Sequence, residues 1–281
     1  MSADPSHPLV DLTGQVALVT GGGRGLGRAF AVALAKAGAH VAVTARTAEP
    51  LAETVAMVER SGGRALAIPG DVSAPEAVAH VVRTAESQLG PVDILVNNAG
   101  AVGPLGYDWE VDLEDWWRTF EINVRGPFLY ARAVLPGMVN RQRGRIVNIS
   151  TGAAFGRLPQ MDAYGATKAA LTQWTKCLAA DIQAYGVTVF AFHPGMVRTP
   201  MLDYLTSPDV PNAVQALFHS LLSEGRDVPI ERSAQMLLFL VSGKADALAG
   251  RFIRALDNEE ELVRRAEEIR RDDLHVVTLR T

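Results

Sequence analysis

The sequence predicts one α/β domain with a doubly wound parallel sheet of about seven strands, helices on both faces and an extra C-terminal helix. Three observations predict this fold. Short apolar runs alternate with helical patterns along the chain, a glycine-rich turn follows the first apolar run, and no linker or internal repeat interrupts the series. Such alternation is typical of a parallel sheet covered on both faces, and right-handed crossovers wind it doubly. The 281 residues fit one large domain.

The apolar runs are the predicted strands. They cover residues 16–20, 41–44, 65–68, 92–96, 145–149, 187–192 and 251–254. Ligands of such sheets bind beyond the carboxyl ends of the strands, near the point where the strand order reverses. The residues that directly follow the strands are therefore the first candidates for a binding site.

Helices fill the intervals between the strands. Leu26, Phe30 and Leu34 recur at helical spacing before Gly38, which ends the first helix. A second helix is predicted through residues 51–58 and is stopped by the glycines at 62 and 63. A third is predicted to begin at residues 73–76, which have the spacing of a capping box and an early proline. Another is predicted across residues 116–134.

The chain ends differ from the middle in composition. We expect residues 1–10 to be a disordered lead, residues 11–256 to form the sheet domain with an excursion at 199–229, and residues 257–281 to form a C-terminal helical extension. Asn258 is the expected N-cap of that helix, and early acids and later arginines suit its dipole. The expected i,i+4 ion pairs are Glu260/Arg264, Glu261/Arg265 and Glu267/Arg271. We expect this helix to dock on the domain, with a contact to a partner subunit as the alternative.

Composition narrows the function classes. The net charge of −4 gives no indication of a nucleic-acid-binding surface, and no apolar run is long enough to span a bilayer. His, Cys, Asp and Glu do not cluster at the spacing of zinc ligands, so we expect no metal site. The tryptophans are expected in packing and interfaces. The single Cys177 cannot form an internal disulfide, which fits a cytoplasmic protein, and we expect it to be buried.

A glycine-rich turn between the first strand and first helix predicts a dinucleotide site. Its residues are Thr20, Gly21, Gly22, Gly23, Arg24, Gly25, Leu26 and Gly27. Glycines let the backbone approach a pyrophosphate, and the free N–H groups of the helix N-terminus bind phosphate. The second strand is followed by Ala45 and Arg46 rather than by a carboxylate. Arg24 and Arg46 therefore favour a 2′-phosphate and NADP(H) over NAD(H).

Tyr164 and Lys168 carry the predicted acid–base chemistry. The pair stands four residues apart, which places both side chains on one face of a helix. A neighbouring ammonium lowers the pKa of a phenol, so we expect Tyr164 to exchange a proton with a carbonyl or alcohol near neutral pH. An exposed, inert pair is the alternative for these two residues alone.

Several motifs in order give the chain a family resemblance. The Thr-Gly-x-x-x-Gly-x-Gly turn, residues 97–100 (Asn-Asn-Ala-Gly), Asn123, Tyr164-x-x-x-Lys168 and residues 193–195 (His-Pro-Gly) before Thr199 resemble the short-chain dehydrogenase/reductase family. The resemblance covers roughly residues 12–255 and implies a Rossmann-type fold and a homo-oligomer, dimer or tetramer, with the Tyr164 helix and its predecessor packing across subunits.

The resemblance also implies roles for the matching residues. Tyr164 would be the general acid/base, Lys168 would lower its pKa and bind the nicotinamide ribose, and Asn123 would hold a water of a proton relay. Asp71 and Val72 would border the adenine. The other implied cofactor contacts are Asn98, Ala99, Gly100, Pro194, Gly195, Val197 and Thr199. His193 is expected to make a structural hydrogen bond.

One position departs from the family pattern. The family usually has a serine thirteen residues before the tyrosine, and this chain has Thr151, preceded by Ser150. Neighbours at the end of a strand point opposite ways, so only one of the two hydroxyls can face the substrate. We choose Thr151, whose hydroxyl can donate to a carbonyl and whose methyl narrows the pocket.

Loops after the strands predict an apolar substrate pocket. Its expected lining includes Val102, Phe155, Met161, Met196, Met201 and Tyr204. These features together predict an NADP(H)-dependent oxidoreductase that interconverts a hydrophobic ketone and a secondary alcohol. Three alternatives stay open: an NAD-linked alcohol dehydrogenase, a repurposed enzyme of imine reduction or cyclisation, and a dinucleotide-sensing module.

Overall fold

The computed structural model of the protein describes residues 10–276. The expected disordered lead and the last residues of the C-terminal extension lie outside this range, apart from Val10. All strands pair in parallel in one seven-stranded sheet of order β3-β2-β1-β4-β5-β6-β7. The strands are β1 (Val16–Thr20), β2 (His40–Thr44), β3 (Ala65–Ala67), β4 (Val92–Asn97), β5 (Gly144–Ile149), β6 (Val187–His193) and β7 (Phe252–Arg254). The predicted doubly wound sheet is therefore confirmed, with its reversal of order between β1 and β4.

Helices connect the strands. They are α1 (Gly25–Lys36), α2 (Ala48–Arg60), α3 (Pro75–Leu89), α4 (Leu113–Phe120), α5 (Gly126–Asn140), α6 (Asp162–Ile182), α7 (Pro200–Leu205), α8 (Asn212–Ser223), α9 (Ile230–Val241), α10 (Glu259–Arg264) and α11 (Ala266–Arg271). A π-helical turn (Glu121–Arg125) joins α4 to α5 without a break. Helices α7 and α8 lie within residues 199–229, the span predicted as an excursion. None of the helices between residues 10 and 276 is both long and apolar enough for a bilayer crossing.

The two faces of the sheet bury separate cores. In β1, Ala17 and Val19 belong to one core, whereas Val16 and Leu18 belong to the other. This period of two is what a strand buried on both faces dictates. Helices α1, α2 and α9 supply side chains to the first core, and α3, α5 and α6 supply the second.

The C-terminal extension differs from the single predicted helix. It forms two short helices, of which α10 begins after Asn258, whose side chain accepts a hydrogen bond from the Glu261 N–H as predicted. Leu262, Ala266 and Ile269 are buried in the first core, so the extension docks on the domain as expected. Beyond α11, the Phe252 N–H of the edge strand β7 donates to the His275 carbonyl at 2.7 Å.

The charge pattern of the extension was predicted only in part. The Glu261–Arg265 ion pair forms at 3.3 Å. Arg264 pairs with Glu261 and Arg271 with Asp272, so the Glu260/Arg264 and Glu267/Arg271 pairs were wrong. Glu267 and Arg271 both belong to α11, but the Arg271 guanidinium bonds to both carboxylate oxygens of the neighbouring Asp272 instead.

Two local predictions also need correction. The Ser73 hydroxyl donates to the Asp71 carboxylate at 2.7 Å, and α3 begins after Ala74 without a side-chain cap. The capping box is therefore absent. Cys177 is exposed rather than buried, because it lies on the outer face of α6.

Candidate active site

The turn between β1 and α1 is shaped by two close approaches of the backbone. A Cβ on Gly27 would lie 2.2 Å from the Gly21 carbonyl oxygen and 2.5 Å from Asn98 Nδ2. Gly21 has φ +64°, and a Cβ there would lie 2.9 Å from the Cα of Ala99. No larger residue fits at either place without moving the backbone. The first residues of α1 therefore lie directly against the end of β4.

Side chains tie the same turn to β4. Thr20 Oγ1 accepts hydrogen bonds from the Asn98 and Ala99 N–H groups, each at 3.0 Å. Asn98 Nδ2 donates to the Thr20 carbonyl at 2.8 Å. Because β1 and β4 flank the reversal of strand order, these bonds fix the two strand ends that border the crevice in which such sheets bind ligands.

The turn fits a dinucleotide. Helix α1 starts after Arg24 with no side chain capping its N–H groups, so these donors and the helix dipole are left for an anion. Thr199, in the loop after β6, lies opposite: a Cβ on Gly25 would be 3.3 Å from Thr199 Cγ2. The loops after β1 and β6 thus meet over this turn.

The side chains expected at the adenosine end lie in the loops that follow β1, β2 and β3. Arg24 and Arg46 are exposed, and neither belongs to an ion pair among residues 10–276. Burial acts to raise the pKa of Asp71, but hydrogen bonds from Ser73 and the Arg118 guanidinium at 2.6 Å hold that pKa below its usual range. Val72 packs closely against the start of α5 at Gly126.

Tyr164 and Lys168 lie together on α6, as predicted. Lys168 Nζ is 5.8 Å from the centre of the Tyr164 ring and donates to the Ile149 carbonyl at 2.7 Å. The lysine is buried, and burial lowers its pKa to about 8. The ammonium therefore lies at the end of β5 with its orientation fixed by the backbone of that strand.

The pKa of Tyr164 differs from the expectation. Burial raises it to about 12, and the nearby Thr151 hydroxyl opposes the rise. The predicted lowering by Lys168 was wrong for the protein alone, because burial in the apolar surroundings outweighs a cation that bonds to Ile149. Tyr164 is thus a protonated phenol at neutral pH.

Thr151 and Ser150 contact different residues of α6. Ser150 is buried, and its Oγ lies 2.6 Å from Oγ1 of Thr172 on α6. Thr151 starts the turn that leads to Tyr164 and lies beside the phenol. The structure thus brings Thr151, and not Ser150, to Tyr164.

Asn123 stands in the π-helical turn and is fully buried. Its side chain pairs with both backbone groups of Ala101, each at 2.8 Å, and also donates to Thr167 Oγ1 at 3.0 Å. A Cβ on Gly100 would lie 3.4 Å from Asn123 Oδ1 and 3.6 Å from Lys168 Nζ. The Asn123 amide oxygen and the Lys168 ammonium therefore both lie next to Gly100. Turns of this type often occur at functional sites.

The loop after β6 contains the remaining predicted cofactor residues. His193 Nδ1 accepts a hydrogen bond from the Gly195 N–H at 3.4 Å, and burial lowers the pKa of this histidine to about 4. The ring is therefore neutral and structural, as expected. The Pro194 carbonyl accepts from Ser233 at 2.6 Å, and Val197 is buried.

An apolar cluster covers Tyr164. Val102 and Met161 pack there with Leu205, Val210 and Val214 of the excursion. The predicted residues Val102 and Met161 thus lie at the site. Met196 is half-buried and pairs with Asp227, at the base of the excursion.

Four predicted substrate residues, Met196 among them, do not join this cluster. Phe155 is exposed and packs edge-on against Phe252, with ring centres 4.7 Å apart. Met201 and Tyr204 are exposed on α7, whose buried face presents Leu202 and Leu205 instead. Sequence reasoning did not choose between the faces of this short helix.

Sequence reasoning also missed Thr167, Val210 and Val214. Thr167 precedes Lys168 and stands three residues after Tyr164, a spacing from which a hydroxyl can reach back to the Tyr164 carbonyl. Within residues 10–276, no three His, Cys, Asp or Glu side chains gather as metal ligands.

Comparison with known proteins places this site in a family. A family model described as short chain dehydrogenase matches residues 15–209. A short chain dehydrogenase of Pseudocercospora fijiensis is 35% identical over 279 residues, which is 95% of this chain and 90% of the relative. The cyclopentanol dehydrogenase of Comamonas testosteroni is 36% identical over 236 residues, covering 84% of this chain and 93% of the relative.

A solved structure agrees with these relatives. It is a 7 alpha-hydroxysteroid dehydrogenase complexed with NADH and 7-oxo glycochenodeoxycholic acid. The two folds superpose with a TM-score of 0.80 at 30% identity, over 88% of this chain and 94% of that one.

Proposed function

The chain belongs to the short-chain dehydrogenase family, and we propose that it is an NADP(H)-dependent oxidoreductase that interconverts a hydrophobic ketone and a secondary alcohol. The observation that carries this proposal is the position of Tyr164, a protonated phenol beside Thr151 and Lys168 at the end of β5. It faces an apolar cluster, as a hydrophobic substrate requires.

The reaction needs a hydride and a proton. A bound nicotinamide supplies or accepts the hydride. The cofactor would lie across the turn after β1, with its phosphates at the N-terminus of α1 and its carboxamide near Thr199. Asn98, Ala99 and Gly100 would border it at the end of β4.

Tyr164 would supply the proton. Its hydroxyl and that of Thr151 would donate to the same carbonyl oxygen, and Tyr164 would then give up its proton as the alcohol forms. Lys168 would stabilise the phenolate left behind, since an ammonium favours a nearby anion. A phenol that is protonated at neutral pH suits the reduction of a ketone.

The choice of NADP(H) depends on two exposed arginines. Arg24 and Arg46 are exposed where the adenosine ribose would lie, and the chain has no carboxylate directly after β2. Forked guanidinium groups bind a phosphate well. The competing candidate is an NAD-linked alcohol dehydrogenase, which the NADH complex of the steroid dehydrogenase relative favours.

The decisive experiment measures initial rates on a panel of ketones and alcohols with NADPH, NADH and their oxidised forms. We expect turnover of apolar substrates with the phosphorylated cofactor, and a loss of about 10²–10⁴-fold in Tyr164→Phe. Equal turnover by wild type and Tyr164→Phe would reject the acid–base role and favour a sensing module.

We also propose that the protein is a cytoplasmic homo-oligomer, dimer or tetramer, that pairs through α4, α5 and α6. An apolar groove on these helices is lined by Trp117, Phe120, Val124, Phe128 and Trp174. Glu121 and Arg125 stand at the same groove and pair with each other at 3.5 Å within the chain. Across a two-fold interface, Glu121 of one copy would also meet Arg125 of the other. Light scattering of wild type and Phe128→Glu tests this arrangement, and a monomeric wild type would contradict it.

A further inference from the structure

Thr167 joins the π-helical turn to the backbone of Tyr164. This threonine is fully buried in α6, one residue before Lys168. Its hydroxyl accepts a hydrogen bond from Asn123 Nδ2 at 3.0 Å and donates to the Tyr164 carbonyl at 2.8 Å. The hydroxyl therefore acts as donor and acceptor at once.

A second path leads from Asn123 back to the same tyrosine. The Asn123 amide also holds both backbone groups of Ala101. The next residue, Val102, lies in the apolar cluster against Tyr164. Asn123 is thus linked to Tyr164 in two ways, through Thr167 to its backbone and through Ala101 and Val102 to the apolar cluster against which its side chain packs.

We propose that Thr167 is a positioning residue, which fixes Tyr164 relative to the apolar cluster that contains Val102. The proposal rests on the proposed function. Without the Thr167 hydroxyl, Asn123 Nδ2 keeps only the Ala101 carbonyl and the amide has a buried N–H with no partner. Asn123 would then reorient. The loop at Ala101 and Val102 and the first turn of α6, which contains Tyr164, would move relative to each other.

The same helix contains a matched control. Thr175 is also fully buried, accepts from Asn148 Nδ2 at 2.9 Å and donates to the Leu171 carbonyl at 2.8 Å. Asn148 continues to Asn97 inside the sheet rather than to the loop at Tyr164. Thr167→Val and Thr175→Val therefore remove equal chemistry from the same helix, and only the first removes a link to Tyr164.

The experiment compares Thr167→Val, Thr167→Ser and Thr175→Val in the full chain. We expect both valine variants to lose similar unfolding free energy. Thr167→Val should lose about tenfold in kcat for the ketone, with the KM for cofactor unchanged. Thr167→Ser should restore kcat, and Thr175→Val should keep it within about twofold.

A titration of the cofactor-free protein gives a readout that does not need turnover. Tyrosine labelled with ¹³C at Cζ reports the phenol, and Tyr164→Phe assigns its signal. Thr167→Val should lower the apparent pKa of Tyr164 relative to wild type, because a loosened first turn of α6 would let water reach the phenol. Thr175→Val should leave this pKa unchanged.

The outcomes separate the two proposals. An unchanged Tyr164 titration in Thr167→Val, or equal changes in both valine variants, overturns the positioning role. A wild type that turns over no ketone or alcohol with any nicotinamide cofactor rejects the proposed function instead, while the titration still decides the role of Thr167.

Discussion

The cofactor side and the substrate side of the site are built by different means. The turn after β1 is held by backbone contacts and short polar side chains, and a Cβ on Gly27 has no room. The cover over Tyr164 is instead a cluster of separate apolar side chains from the excursion and the loops. The backbone contacts on the cofactor side suit a ligand whose shape does not vary. The cover over Tyr164 can change in volume while the rest of the fold stays intact.

The largest effect should come from adding one carbon on the cofactor side. Gly27→Ala would place a methyl against the Gly21 carbonyl and Asn98. We expect a loss of about 3 kcal/mol in unfolding free energy and weak cofactor binding. Urea unfolding and cofactor titration measure both. Gly156→Ala is the control, since its nearest neighbour would lie 3.4 Å away; equal losses in the two variants would break the comparison.

Lys168 stands between the two sides, and its burial makes stability depend on pH. Its pKa is about 8 in the fold and 10.5 ordinarily. The unfolded chain binds more protons between these values, so the stability contribution rises with pH from 8 to 10.5 and is lost as pH falls through 8. We expect wild type to gain about 2 kcal/mol relative to Lys168→Met between pH 8 and pH 10. Parallel unfolding curves at each pH would contradict the burial of this charge.

A deletion on the substrate side should be milder and selective. Val214→Ala removes two methyl groups from a fully buried position in the cover. We expect a loss of about 1.5 kcal/mol in stability and a lower KM for bulkier ketones, with the KM for cofactor unchanged. Steady-state kinetics on ketones of increasing size test this. A change confined to the cofactor KM would show that the two sides are not independent.

The smallest expected effect concerns the adenosine end alone. Arg46→Asp should raise the KM for NADPH about tenfold and improve use of NADH, because a carboxylate repels a 2′-phosphate. Unfolding should hardly change, since Arg46 is exposed. An unchanged KM for NADPH would count against the proposed cofactor preference. Lys36→Asp, at the exposed end of α1 away from the glycine-rich turn, would control for net charge.

Sequence patterns predicted the parts of the fold that depend on local chemistry. The strands and the first helices follow from buried apolar runs and their glycine stops, and Tyr164 and Lys168 share a face because helix geometry requires it. Thr151 was chosen over Ser150 because it stands thirteen residues before Tyr164, as in the family pattern, and Ser150 bonds to Thr172 instead.

Other features depend on contacts that spacing alone does not reveal. Ser73 bonds to Asp71 because Arg118, far along the chain, holds that carboxylate in place, so the expected capping box does not form. Burial decides the pKa of Tyr164, and the packing of α7 and α8 decides which apolar residues meet it. These are tertiary effects, and the sequence predicted the residue types present without their orientation.

The hydrogen bond between Phe252 and His275 has a consequence for handling the protein. A strand at the margin of a sheet is a template on which other chains can add, and proteins avoid this by covering the margin. Here the covering segment follows α11, so a truncation before His275 would leave the Phe252 N–H of β7 without its partner. Shortened forms should therefore self-associate into larger, less soluble species than the full chain.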